Sequence, residues 1–375
     1  VITAAGALVR KDLVQSFRNP GFLIIGIVLP VFFTLLYSFI VQAATTNPLY
    51  VAKAAEGPAT ERLMRILTAQ SSEDGKAWKL VTADPQVAER SFENGEAMGI
   101  VRIPSTFEED VRAGDARVGL GVYNINSDIT KNLQLRLTGA LMQFKGEVDP
   151  THQVQVQESP RWEQEMGFAS YMGASLVMFS LIYGGMVNTG NLIAREWEEG
   201  TAKAVVLSPK GFWPLVLGKW TATFLQSLVT MALVLLTLQF TLPYPVSALG
   251  PGTWGPIVVL FFYGVALGAL LGVTLRRSLP LVPIAAVVAL IHFLLVGLES
   301  YMRGYAHSGL LEWLWYAVRW WPVGAVTDHI RYSAEGIEPV YGMQGYMWWM
   351  VLLVVLLTAA ALAVLRRKLT FAQGQ

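Results

Sequence analysis

The stretch WTATFLQSLVTMALVLLTLQFTLPYPVSALGPGTWGPIVVLFFYGVALGALLGVTL, Trp220–Leu275, contains no charged residue and no histidine. A helix needs about 20 consecutive apolar residues to cross the hydrocarbon of a bilayer, and this run is long enough for two. Pro243, Pro245, Gly250, Pro251 and Gly252 lie near its middle, where a hairpin between two crossings has to turn. An uncharged block of this length marks a membrane-spanning chain rather than a soluble core.

The same test, carried outward, finds apolar blocks at 20–41, 166–194, 278–298 (interrupted only by His292) and 339–365. The expectation is a polytopic α-helical membrane protein of about six transmembrane helices. Composition agrees, with 53% hydrophobic and 15% charged residues, against roughly a quarter charged in soluble domains. The net charge of +1 gives no reason to expect a nucleic-acid partner. The chain has no cysteine, which excludes disulfides, thiolate metal sites and cysteine nucleophiles. It opens on Val1 rather than Met, which leaves room for residues upstream.

Lys and Arg set the orientation. Arg10, Lys11 and Arg18 precede the first block, and Arg195, Lys203, Lys210 and Lys219 follow the second. Arg276 and Arg277 follow the fourth; Arg366, Arg367 and Lys368 follow the sixth. In a six-span layout all lie on one side, whereas the hairpin from Thr241 to Pro256 has none. Both termini are therefore expected in the cytoplasm, with the spans in the inner (cytoplasmic) membrane and in contact with its lipid. Residues 1–19 read as a cytoplasmic amphipathic surface helix, with Leu8, Val9, Leu13 and Phe17 at helical spacing and Arg10, Lys11 and Arg18 turned away. Val41-Gln42-Ala43 resembles a signal cleavage site, but the apolar run before it exceeds a signal h-region and reads as a retained anchor. Residues 366–375 are a cytoplasmic tail.

Between 42 and 165 the composition turns soluble, and an inserted extracytoplasmic α/β domain is expected. Strands are expected near Trp78–Val81, Met98–Val101 and Val118–Tyr123, with helices over 85–94, from Ser105 to about Gly114 and over 127–145. Ser105 with Glu108 fits a capping box. Glu108, Glu109 and Asp110 read as a solvated helix start, and the alternating stretch 153–157, opened by His152, reads as a surface strand. No metal-ligand spacing, nucleophile elbow or carboxylate pair stands out, so no catalytic or metal residue is assigned.

Ion pumps carry costly intramembrane charges, and here the titratable group well inside a block is His292, with Glu299 seven residues on. Either they form a polar relay or substrate contact, or His292 packs between helices and Glu299 sits at the outer interface; the second is the expectation. The nearest approach to a phosphate loop, GFWPLVLGKW at 211–220, has too long a gap, bulky residues within it and Trp220 where a hydroxyl should hold magnesium. Any driving energy is expected from a partner. The segment 195–219 points toward one. Arg195-Glu196-Trp197-Glu198-Glu199-Gly200-Thr201 places charge beside apolar residues on a short helix ending near Gly200, and a second short helix over 201–207 ends at Ser208-Pro209.

These residues resemble the type-2 ABC exporter permeases, the ABC-2 permeases. That family carries Glu-x-x-x-Gly-Thr, then Leu-x-x-Ser-Pro, then Gly-Lys at the start of the next span. The matching positions are Glu196, Gly200, Thr201, Leu207, Ser208, Pro209, Gly218 and Lys219. Gly95, Ile103-Pro104, Phe107 and Gly114, and later Pro322, Arg331 and Gly336, are similar to weaker family patterns. The resemblance implies a half-transporter: two permease chains (a homodimer or close paralogues) and two separate ATP-binding subunits, which carry the ATP and magnesium. No cofactor is expected on this chain. Arg195, Glu196, Glu199, Gly200, Thr201, Leu207, Ser208, Pro209, Gly218 and Lys219 would form the coupling contact. Family members export drugs, lipids, polyketides or other amphiphiles, and some are linked to sodium or metal efflux.

Gly264, Gly268 and Gly272 form a small-residue stripe for close helix approach, either at a dimer seam or within one chain. The segment 299–338, rich in Trp313, Trp315, Trp320, Trp321 and Tyr316, reads as an outer interfacial helix, with an aromatic substrate gate as the other reading. The competing class is a non-transporting membrane protein whose external domain binds a ligand or envelope component. Six crossings exceed what an anchor needs.

Overall fold

The computed structural model describes residues 2–72, 75–94, 96–97, 99–122, 128–148, 167–202, 213–242, 244–246, 249–298, 309–336 and 343–371. They divide into two units, Val1–Ser38 with Phe168–Gln375, and Phe39–Gly167.

The first unit is helical. Helix α1 (Ile2–Arg18) precedes α2 (Gly21–Thr45). Among the described residues five helices are long and apolar enough to cross a membrane, over Gly21–Ile40, Ala169–Glu198, Trp213–Thr241, Gly252–Leu275 and Gly345–Arg367. The sixth expected crossing is the shorter apolar helix Leu281–Gly297. At 1.5 Å per residue it is about 25 Å long, at the lower limit for spanning. It begins after the Ser278–Pro280 turn, and its last stretch, Phe293–Gly297, widens into a π turn. The arrangement is that of a polytopic helical membrane protein.

In the second unit, β1 (Asn47–Lys53), α3 (Pro58–Ala69), a two-residue hairpin of β2 (Ser71–Ser72) and β3 (Gly75–Lys76), β4 (Trp78–Thr82), α4 (Pro85–Glu93), β5 (Gly99–Ile103), α5 (Phe107–Ala113), β6 (Gly119–Val122) and α6 (Asp128–Val148) follow in order. The sheet runs β4-β1-β5-β6; β1 is parallel to β4 and β5, and β6 is antiparallel to β5. Successive strand residues point to opposite faces, and both faces are used. Leu49, Val51, Val101 and Ile103 pack with Leu63, Leu67, Phe107, Leu137 and Phe144 of α3, α5 and α6. The alternate residues Ala52 and Ile100 meet Ala88 of α4. Strand β1 and helix α3 went unseen in the sequence, although β1 is the central strand between β4 and β5.

The capping box does not form. Ser105 precedes the helix, and the N-cap is Thr106, whose side chain makes no capping bond. Glu108 instead reaches across to α3, accepting from Thr60 N (2.7 Å), Thr60 Oγ1 (2.8 Å) and Ala59 N (3.3 Å). Those first-turn N–H groups have no partner within their own helix, so they compete for the carboxylate and win. Glu108 is therefore a cap on a neighbouring helix rather than part of a solvated face. Gly57 leaves it room, because a Cβ there would lie 2.4 Å from the Glu108 carboxyl carbon. Gly114, in the left-handed region at φ 78°, ends α5 as the sequence suggested. His152, residues 153–157 and Gly95 lie outside the described residues.

Candidate functional site

In the helical unit, α7 (Phe168–Glu198) is continuous through Arg195 and Glu196, so these residues form its last turn and not a separate loop helix. Gly200 follows in the left-handed region at φ 71°, ending the helix. Helix α8 (Trp213–Thr241) starts before Gly218-Lys219 and carries both in its second turn.

Helix α1 lies against α8, and Gly218 permits the close approach: a Cβ there would meet Leu8 Cβ at 2.9 Å and Ala5 O at 3.2 Å. Ala5, Leu8, Asp12 and Ser16, three to four residues apart, share one helix face. The sequence placed the apolar positions as the defining face of α1. The structure buries Asp12 and Ser16, and leaves Val14 and Phe17 exposed. A polar partner for α1 waits on α7 and α8, which its own sequence cannot reveal. The signal was present in one respect, since Asp12 is the lone acid among residues 1–19.

Lys219 is the centre of the cluster. Its ammonium donates to Asp12 Oδ1 (2.9 Å), Glu196 Oε1 (2.6 Å) and Leu192 O (3.0 Å), so all three protons have acceptors. Lys11 donates to both Glu196 oxygens at 2.8 and 3.0 Å, and the Thr201 hydroxyl donates to Glu196 Oε2. Exposure is 1% for Asp12, 2% for Lys219 and 6% for Glu196. Two acids and two lysines balance, which is how buried charge is tolerated. Burial nonetheless pushes the Asp12 carboxyl above its ordinary value, against the pull of Lys219.

Around this centre runs a polar seam. Gln226 Nε2 donates to Ser16 Oγ (2.9 Å), Asn188 Nδ2 to Ser227 Oγ (3.0 Å), and Thr189 and Thr223 hydroxyls meet at 3.0 Å. Gln15 donates to Glu199, which also lies 3.7 Å from Arg195. Glu198 accepts from Ser278 N (2.7 Å) and Ser278 Oγ (2.9 Å). The structure thus gathers Arg195, Glu196, Glu199, Thr201, Gly218 and Lys219 at one end of α1, α7 and α8. It turns Glu196 and Lys219 inward, while Glu198, Glu199 and Gly200 remain exposed. Leu207, Ser208 and Pro209 lie outside the described residues. Sequence reasoning missed Lys11, Asp12, Ser16 and Gln226 as members.

The glycine stripe belongs to packing within the chain. On α9 (Pro251–Leu275), a Cβ at Gly264 would come 2.7 Å from Ile182 O, at Gly268 2.5 Å from Met186 O, and at Gly272 2.7 Å from Gly190 O, all on α7. His292, on α10 (Leu281–His292), is buried. Its Nδ1 lies 2.7 Å from Val288 O and so donates to it, leaving Nε2 to accept from Tyr263 Oη at 3.0 Å. The Trp321 ring packs on it at 4.6 Å. It is satisfied as a packing histidine; Glu299 lies outside the described residues.

The segment 299–338, where described, is exposed in one part and buried in the other. Helix α11 (Gly309–Trp320) exposes Leu310, Trp313 and Trp320, but α12 (Pro322–Ala334) buries Val323, Val326, Thr327, Ile330 and Arg331 in the bundle. Arg331, 1% exposed, donates to Ser175 Oγ (2.8 Å), Gly297 O (2.8 Å) and Val296 O (3.1 Å), pairs with Asp328, and covers the Tyr171 ring at 3.9 Å. The bundle therefore does hold buried charge, at Arg331 as well as at Lys219. Among the described residues no cluster of three or more His, Cys, Asp or Glu fits a metal.

The sequence model of the family described as ABC-2 family transporter protein matches residues 20–363. No curated protein and no solved structure matches the chain.

Proposed function

This chain belongs to the ABC-2 transporter family and is a permease component of an ABC transporter, and from that premise we propose that it exports an amphiphilic substrate, a drug, lipid or similar molecule, powered by a separate ATP-binding subunit. In this reading the chain works beside a second permease chain in the cytoplasmic membrane, with both termini cytoplasmic and the α/β domain outside. ATP and magnesium belong to the partner.

One observation carries the coupling part of the proposal: the Asp12–Lys219–Glu196–Lys11 cluster fastens α1 to the adjoining ends of α7 and α8. A subunit pressing on the exposed residues Glu198–Gly200 and on α1 would move those ends together. The family motif then divides by role. Glu196, Gly218 and Lys219 build the rigid corner, and Arg195, Glu199, Gly200 and Thr201, with Leu207, Ser208 and Pro209, form or border the contact.

Co-purification with the ATP-binding subunit, followed by ATP hydrolysis and vesicle efflux assays, tests this. Lys219→Met is expected to uncouple hydrolysis from efflux while the Gly252→Ala control, where a Cβ meets nothing within 4 Å, behaves as the parent. Parental efflux and hydrolysis in Lys219→Met would remove the cluster from the mechanism.

A further inference from the structure

An apolar crevice opens between α7, α8, α9 and α13 (Met343–Phe371), lined near the C-terminal ends of α7, α9 and α13 by Trp197, Val273 and Leu365. It encloses about 60 Å³ and is walled by Trp197, Trp220, Val273, Ala361, Leu362 and Leu365. Glu196 and Lys219 reach it only as a mutually neutralised pair. Such a lining suits hydrocarbon and offers a charged group nothing.

The mouth has the opposite character. Val273 and Leu365 belong to one packed cluster, so the C-terminal ends of α9 and α13 lie side by side. Arg276 and Arg277 follow α9 directly, and Arg366 and Arg367 directly follow Leu365; all four are exposed. Arg276 has φ 56°, the one positive φ at a non-glycine residue among those described, a conformation such residues adopt in a few per cent of cases. Its guanidinium lies over the ring of Trp197 at 4.8 Å, and Trp197 is itself a wall of the crevice. A cation is thus held at the rim of an apolar slot, with three more arginines on the adjoining helix ends.

We infer that this crevice is a binding site for an anionic glycerophospholipid of the surrounding leaflet, a short stretch of one acyl chain seated between α9 and α13 and the phosphate resting on Arg276 and Arg277. Basic pockets between membrane helices recognise anionic headgroups in this way. The charge of the rim selects against zwitterionic lipid, and the apolar wall selects against free phosphate. The site is independent of what the chain transports.

Tryptophan quenching in vesicles tests it. The full-length chain is reconstituted in phosphatidylcholine containing a minor fraction of either dibrominated phosphatidylglycerol or dibrominated phosphatidylcholine. Quenching is expected to be stronger with the anionic lipid, and the excess is expected to fall in Trp197→Phe and to vanish when Trp220→Phe is added, since both rings wall the crevice. Arg276→Gln is expected to weaken the anionic preference about fivefold, since each arginine near the membrane surface contributes about 1 kcal/mol. Ala361→Phe fills the crevice and is expected to abolish the excess; should it fail to fold, Thr358→Leu at the same wall replaces it. Equal quenching by the two brominated lipids overturns the proposal. An excess undiminished by Arg276→Gln removes the headgroup contact, and one undiminished by the filled crevice removes the acyl chain, and either result also overturns it.

Discussion

Lys219 donates every ammonium proton to a partner within this chain, at Asp12, Glu196 and Leu192. Removing one member of a buried charge cluster costs roughly 3–5 kcal/mol, because the remaining charges are left unpaired. Lys219→Met should therefore release α1, with Asp12 and Glu196 then repelling across the gap. Combining it with Asp12→Leu leaves Glu196 with Lys11, restores neutrality, and should recover much of the loss. The absence of native cysteine makes the measurement clean: a single cysteine at Ser16, otherwise 5% exposed, should react with a maleimide quickly in Lys219→Met and slowly again in the double variant. Glu108 gives a second prediction at this scale. Burial would raise its carboxyl, but the hydrogen bonds from Thr60 and Ala59 outweigh it and hold the group below its usual value. A lowered folded value means the stabilisation is complete above the unfolded value of about 4.3 and is lost as pH falls through the folded one. Glu108→Ala should cost about 1 kcal/mol, the worth of a helix cap, and accelerate amide exchange at Ala59 and Thr60 near neutral pH. The difference from the parent should shrink on acidification; a pH-independent difference would refute the capping role.

Between elements, glycine decides how closely helices approach. Gly264, Gly268 and Gly272 set α9 directly on the backbone of α7, with no side chain in between. An alanine at Gly268 would place its Cβ 2.5 Å from Met186 O and 2.7 Å from Met186 Cα, contacts that only a shift of the whole helix can relieve. Overpacking of this kind costs roughly 1–3 kcal/mol. Gly268→Ala should lower the thermal unfolding temperature of the detergent-solubilised protein, while Gly252→Ala on the same helix should leave it level or slightly raised, because glycine in a helix is itself unfavourable. Equal effects at both positions would mean that the α7–α9 contact is looser than the geometry requires. Arg331 acts at the same scale from the other end of the bundle. Where the π turn leaves the Val296 and Gly297 carbonyls facing inward, its guanidinium supplies their donors and joins α7 and α12 to them.

For the whole molecule, what could be read from the chain depended on whether the information was local. The membrane blocks were legible because hydrocarbon excludes charge over a continuous run of residues, and Trp220–Leu275 advertises this without any partner. The Gly200 helix stop and the Gly114 cap were legible for a similar reason. Asp12 with Lys219, separated by 207 positions, was not, because periodicity shows which residues are polar but not what they face. Strand β1 was hidden by the same limit. Its neighbours are β4 and β5, and its alternation only acquires meaning once both faces of the sheet are covered. That two-sided cover leads to the last prediction. The unit Phe39–Gly167 has its own sheet, and its cores enclose Leu49, Val51, Leu63, Leu67, Val101, Ile103, Phe107 and Phe144 on one face and Ala52, Ala88 and Ile100 on the other. A domain of this size that buries both sheet faces is expected to hold of the order of 5 kcal/mol without help from the spans. The excised segment 46–148 should therefore express in soluble form and unfold in urea as one cooperative transition, coincident by circular dichroism and by Trp78 fluorescence. Phe107→Ala should lower the unfolding free energy by about 3–5 kcal/mol and move that midpoint toward zero urea, enough to approach unfolding. A segment that is soluble but unfolds without cooperativity would show that the domain depends on the membrane unit for its fold, and the two units would then have to be treated as one.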